Sequence, residues 1–118
     1  FKLMAAMLNS VELHFDGRYA TAQLLASDFK KTGATYKDTE NLIDQCRRIG
    51  SVKAIAMFVE QPDGKIKCSL RSKGAVDVGE IAQKFGGGGH KMASATYIPG
   101  PIENAKQLAK DAFSQQFE

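Results

Sequence analysis

Four consecutive glycines and a histidine, Gly86-Gly87-Gly88-Gly89-His90, are the residues here whose types and spacing most directly suggest chemistry. Glycine loses more conformational freedom on folding than any other residue, so four in a row need a reason beyond ending a helix. Bare backbone can approach a ligand closely and aim N–H groups at an anion. His90 can offer a phosphate oxygen a hydrogen bond or a charge. Upstream, Ser69-Leu70-Arg71-Ser72 adds a planar guanidinium whose fork matches phosphate, and a hydroxyl donor. Each piece also has a plainer reading: an oversized loop, a surface histidine, the exposed end of a strand. The pattern is neither a P-loop nor a dinucleotide fingerprint, because the glycines follow a helical stretch and the required spacing is absent.

The charge distribution points to the same region. The 118-residue chain carries a formal net charge of +3. Residues 65–91 hold Lys65, Lys67, Arg71, Lys73, Lys84 and Lys91 against Asp77 and Glu80, a local +4, while the remainder is −1. Such concentration suits a local anion site, or simply a solvated lysine-bearing strand face. A composition of 43% hydrophobic and 25% charged residues excludes a disordered tail, a collagen-like chain and a coiled coil. No apolar run approaches the ~20 residues of a membrane-spanning helix, so no membrane partner is expected. Cys46 and Cys68 lack the number and spacing for a disulfide framework or a zinc site, and a reducing, cytoplasmic setting is the simplest reading.

The positioning elements follow from periodicity. Phe1, Met4, Met7 and Leu8 fall at helical spacing, and residues 1–10 read as the end of a helix arriving from upstream. Val11, Leu13 and Phe15 alternate with polar residues, Asp16-Gly17 signals a type I′ hairpin turn, and Arg18–Leu24 is the returning strand. Ala26–Lys31 forms a short helix closed by Gly33. Asp38 or Thr39 caps a second, with Leu42, Ile43, Cys46 and Ile49 in one stripe, Arg47 and Arg48 in its last turn, and Gly50 at its end. Val52–Val59 suits a strand buried on both faces. After the turn at Pro62-Asp63-Gly64, Ile66, Cys68 and Leu70 alternate with Lys65, Lys67, Ser69 and Arg71, so one face is apolar and the other basic. Asp77-x-x-Glu80 resembles a capping box for a short helix with Val78, Ile81, Ala82 and Phe85 inward. Met92–Tyr97 is a strand, and Gly100-Pro101 opens a last helix with Ile102, Ala105, Leu108, Ala109, Ala112 and Phe113 on one side. The expected fold is a single α+β domain over residues 11–118, with a mixed sheet of about five strands flanked by helices.

Three ordered motifs carry a family resemblance: Cys68-Ser69-Leu70-Arg71-Ser72-Lys73, Asp77-Val78-Gly79-Glu80-Ile81-Ala82, and Gly86-Gly87-Gly88-Gly89-His90-Lys91-Met92-Ala93-Ser94. Together they resemble the DHH-associated domain, type 1, the C-terminal domain of DHH-family phosphoesterases. The likeness is nearest to the branch of bifunctional oligoribonucleases and PAP phosphatases. The resemblance implies a two-domain, Mn²⁺-dependent hydrolase whose N-terminal DHH domain holds the metal ions, while the C-terminal domain grips a nucleotide or short single-stranded RNA. By motif, Arg71 and Ser72 would contact phosphate or the substrate end. Gly87, Gly88 and Gly89 would supply backbone donors and room, and His90 a direct contact; Lys73 and Lys91 would add positive field. Two positions depart from the family pattern: Ala95 stands where many members have Gly, and Met92 where a small or polar residue is common.

The sequence has no Asp-His-His triplet, and its histidines are His14 and His90. It lacks the Asp and His cluster of a two-metal site, so the chain reads as a piece of a longer protein, catalytically silent alone and binding no metal itself. His14 reads as an isolated outward strand position. The competing readings are a non-catalytic RNA-binding module, as at the C-terminus of alanyl-tRNA synthetases, and part of a cyclic-dinucleotide phosphodiesterase. A basic excess of about four charges, with Phe85 the nearest aromatic, favours a small-nucleotide pocket over a long RNA track.

Overall fold

The apolar run after Val52 becomes the centre of the molecule. In the computed structural model, which describes residues 2–39 and 41–117, Ala54–Glu60 forms strand β3, with Ala54 through Val59 all buried. Only a strand covered on both faces can hold so continuous an apolar sequence. The elements before it are α1 (Lys2–Asn9), β1 (Glu12–His14), β2 (Tyr19–Leu24) and α2 (Ala26–Thr32), then two 3₁₀ segments, Tyr36–Thr39 and Ile43–Arg48. After it come β4 (Lys65–Ser72), α3 (Val78–Gln83), β5 (Gly88–His90), β6 (Ala93–Pro99) and α4 (Ile102–Gln116). The strand order is β1-β2-β3-β4-β6-β5; β2 and β3 run parallel and the other neighbours antiparallel.

Alternation along the strands sorts the apolar side chains into two cores. Ala54, Ala56 and Phe58 join Ile66, Cys68, Leu70 and Ile98 beneath α3 and α4, where the Phe113 ring packs tilted against Tyr19, 4.3 Å centroid to centroid. Ile55, Met57 and Val59 join Ala20, Ala22 and Leu24 beneath α1, α2 and the 3₁₀ segments. The turn between β1 and β2 keeps the expected Asp16-Gly17 centre, with Arg18 N–H donating to the Phe15 carbonyl, but Phe15 also takes a positive φ and residues 15–18 lie outside the strands, whose last pair is His14 with Tyr19. Gly33 closes α2 in the left-handed conformation, as expected.

The α+β class holds, with five departures in detail. The sheet has six strands among the described residues, the sixth being Gly88–His90, drawn from the glycine run itself. The helix expected after Asp38 is instead two 3₁₀ pieces. Asp38 and Thr39 bond backwards, accepting from Thr35 N–H and donating to the Tyr36 carbonyl, so neither caps a forward helix. The stripe survives: Leu42, Ile43 and Cys46 are buried. In α1 the buried pair is Leu3 and Met7, while Leu8 is exposed and Phe1 lies outside the described residues. Leu108 is exposed on the flank of the α4 stripe, whose buried positions run Ile102, Ala105, Ala109, Ala112 and Phe113. The capping box is half built. Asp77 accepts from Glu80 N–H at 3.0 Å, but Asp77 N–H goes to Gln116 of α4.

Cys46 and Cys68 sit in different cores on opposite faces of the sheet, both free. Burial pushes the Cys68 thiol up to about 12 and also raises that of Cys46. Since the thiolate is the reactive form, neither should react with a thiol-specific disulfide reagent at pH 8 until the chain unfolds. Both thiols should then titrate in denaturant; a rapidly reacting thiol in the native protein would contradict this packing.

Candidate functional site

Strand β4 splits its residues strictly by parity. Ile66, Cys68, Leu70 and Ser72 point into the α3/α4 core, and Lys67, Ser69 and Arg71 point to the other face. Register extends that face across three strands. Arg71 lies opposite Ala93, which lies opposite His90; Ser69 lies opposite Ala95, which lies opposite Gly88; Lys67 lies opposite Tyr97. Towards β3 the same rows continue into Ile55, Met57 and Val59, but those are sealed beneath the helices. No side chain of β4, β5 or β6 belongs to that second core. The covering layer therefore stops at β3 and leaves β4–β6–β5 as an open sheet face. Its floor is small (Ser69, Ala95, Gly88), with Arg71 and His90 along one end and Lys67 and Tyr97 along the other.

Arg71 is held rather than loose. Its Nη1 donates to the Leu70 carbonyl at 3.0 Å and its Nε lies 3.6 Å from Asp44, which also pairs with Arg47 at 3.8 Å. Both arginines reach Asp44 on the second 3₁₀ segment, so that segment walls the basic end. These contacts use only part of the guanidinium's five donors. Ser72 faces away: it is 2% exposed, and its hydroxyl oxygen accepts from Gly74 and Val76 N–H at 3.0 and 3.3 Å, shaping the loop after β4. Lys73 is exposed, with Nζ donating to the Ile49 carbonyl. His90 and Lys91 are exposed at the β5 end, where the Lys91 carbonyl accepts from Val78 N–H.

The glycines differ in what the fold demands of them. A Cβ on Gly87 would collide with the Ala95 carbonyl oxygen and lie 2.5 Å from Thr96 Cβ. One on Gly89 would lie 2.6 Å from the Ala93 oxygen and from Ser94 Cα. Both are needed so that β5 can press against β6, and Gly87 N–H is already spent on the Ala82 carbonyl. Gly88 is different: nothing lies within 4 Å of where its Cβ would be, and its φ is not positive. The fold does not require glycine there, and the space it leaves open is over the floor of the site.

Of the residues expected from sequence, Arg71, Gly88 and His90 are brought together on this face, with Lys73 and Lys91 on loops that follow β4 and β5. Ser72, Gly87 and Gly89 serve the packing beneath it. Ser69 and Lys67 were readable as the residues two and four before Arg71. Tyr97 required the β4–β6 register, which no local pattern encodes. Phe85 is half-buried against the α3/α4 core. A separate cleft of about 180 Å³, lined by Glu12, His14, Thr21, Lys106 and Lys110 among others, lies on the opposite face near β1. His14 stands there rather than in the site, and burial together with Lys110 lowers its pKa.

Among the described residues no three His, Cys, Asp or Glu side chains group as metal ligands. Nor is any helix long and apolar enough to cross a membrane.

A family model described as the DHHA1 domain matches residues 16–118. The chain is 33% identical over 118 residues to the bifunctional oligoribonuclease and PAP phosphatase NrnA of Thermus thermophilus, covering 98% of this chain and 34% of that protein. It therefore spans about a third of the curated relative's length. Among solved structures, an exopolyphosphatase-related protein from Bacteroides fragilis superposes with a TM-score of 0.90 at 27% identity, over 98% of this chain and 34% of that one. The pGpG-specific phosphodiesterase PggH of Vibrio cholerae shares the fold, with a TM-score of 0.68 at 16% identity over 97% of this chain and 37% of that one. With the fold, the ordered motifs and the family match in agreement over nearly its whole length, the chain belongs to the DHHA1 domain family.

Proposed function

We propose that this domain is the substrate-gripping part of a DHH-family phosphoesterase acting on short oligoribonucleotides and 3′-phosphoadenosine 5′-phosphate. The open β4–β6–β5 face carries the reading. A terminal phosphate binds between Arg71 and His90, and the sugar and base lie over Ser69, Ala95 and Gly88. Arg71 supplies a charge-assisted fork, and His90 a donor from the other side of the row. Lys73 and Lys91 raise the local positive potential and favour encounter with an anionic ligand. The relatives' names, which pair oligoribonuclease with PAP phosphatase, support the substrate class.

The hydrolytic step belongs to a DHH domain, reached through α1 as the end of a connecting helix. Among the described residues no cluster of His, Cys, Asp or Glu fits the family's Mn²⁺, so that ion and the attacking water belong to the DHH domain. The contribution of this chain is binding, orientation and, on closure, exclusion of water from the phosphate. A face three rows long, with few cations, suits a small nucleotide better than an extended RNA.

Two variants test this reading by calorimetric titration with adenosine 5′-monophosphate. Arg71→Ala should weaken binding by about 1.5–3 kcal/mol, the range for losing a charged hydrogen-bonding partner. Unchanged affinity would overturn the assignment. Gly88→Val should leave the melting temperature nearly unchanged while blocking the floor and abolishing binding. Gly87→Ala should do the reverse, lowering the melting temperature by forcing β5 from β6. If Gly88→Val binds normally, the floor is not where the nucleotide lies.

A further inference from the structure

The exposed large apolar side chains among the described residues are Leu8, Leu13, Met92, Tyr97 and Leu108. Four are aliphatic or thioether groups on α1, β1, the β5–β6 turn and α4. Tyr97 is the sole aromatic among them. It is 54% exposed, and its register partner is Lys67. Because β5 ends its pairing with β6 at Gly88–Ala95, no strand among the described residues lies beyond Tyr97 on that side of its row. The ring therefore stands at an open corner of the same sheet face as Arg71 and His90, beside a broad depression that reaches to Pro62, Asp63 and Lys65.

The spacing decides what this corner could hold. Arg71 and Lys67 are four residues apart on β4, so the rows they head are about 13 Å apart at ~3.3 Å per residue. That exceeds the reach from a nucleotide's own phosphate to its base. A mononucleotide anchored at Arg71 covers the floor and stops short of Tyr97. The base of the next nucleotide arrives there, and Lys67 beside it supplies a cation for the additional phosphate. An aromatic face accepts any base, and a neighbouring lysine balances the phosphate: this is the pairing by which proteins hold single-stranded nucleic acid.

We infer that Tyr97 and Lys67 form a second-nucleotide subsite, which makes this face a reader of substrate length, with tighter binding for a dinucleotide than for a mononucleotide. The inference rests on the phosphate position proposed at Arg71 and His90, and the two are tested separately.

The test uses the 118-residue chain and two probes, adenosine 5′-monophosphate and 5′-phosphorylated diadenylate. Tyr97→Ala should weaken diadenylate about 5- to 150-fold, the range one stacked base contributes, and change the monophosphate less than twofold. Tyr97→Phe, which keeps the ring, should bind diadenylate as the parent does. A diadenylate carrying 2-aminopurine at its second base should be quenched by the parent and by Tyr97→Phe, but not by Tyr97→Ala. Equal loss for both probes, or no loss for diadenylate, overturns the subsite. Arg71→Ala is the independent control: if it leaves both probes unaffected, the phosphate position fails, whatever Tyr97 does.

Discussion

The register of β4 between β3 and β6 is the constraint on which the site depends. Side chains alternate with a period of two, so a slip of one residue would drive Lys67 and Arg71 into the α3/α4 core and expel Ile66, Cys68 and Leu70. The cost of burying two unpaired cations and exposing three apolar side chains forbids it. The same register places Arg71, Ala93 and His90 in one row although they come from three strands. The core that stabilises the sheet and the face proposed to bind the ligand are thus two sides of one decision.

The small floor depends on close approach. β5 lies against β6 because Gly87 and Gly89 have no side chains to keep it away, and Ser94 and Thr96 donate their hydroxyls to the Val78 and Phe85 carbonyls on the far side. Those bonds tie β6 to the start of α3 and to the turn after it, and Gly79 lets the helix pass beneath the His90 backbone, where a Cβ would lie 3.0 Å from the carbonyl oxygen. The glycine run therefore does more than one kind of work. Gly87 and Gly89 let backbone pack on backbone, and Gly86 takes a positive φ after α3. Gly88 alone has its free space on the open face. Ala95, opposite Gly88, adds a methyl to that floor.

Most of the elements were legible because each has a local cause. The alternation of β4, the apolar run of β3, the Asp16-Gly17 turn and the Gly33 cap are all written in neighbouring residues. Arg71 and His90 were legible for a different reason: their chemistry and order resemble a family pattern. What local reading missed depends on partners far along the chain. Four glycines read as a loop because strand propensity cannot report that β6 offers them an edge. Ser72 looked like a phosphate donor beside Arg71, yet parity turns adjacent strand residues to opposite faces and gives its hydroxyl to the following loop. Asp38 and Thr39 had the chemistry of caps and used it backwards. Tyr97 was invisible as a neighbour of Lys67 until the β4–β6 pairing was known.

On the proposed function, the open β4–β6–β5 face, and no other surface of the domain, receives the nucleotide. Amide chemical-shift mapping with adenosine 5′-monophosphate tests it most directly. Shifts should centre on Ser69, Arg71, Gly88, His90, Ala93 and Ala95, with the β1–α4 cleft at Glu12, His14, Lys106 and Lys110 unmoved. Shifts confined to that cleft, or none at saturating ligand, would contradict it.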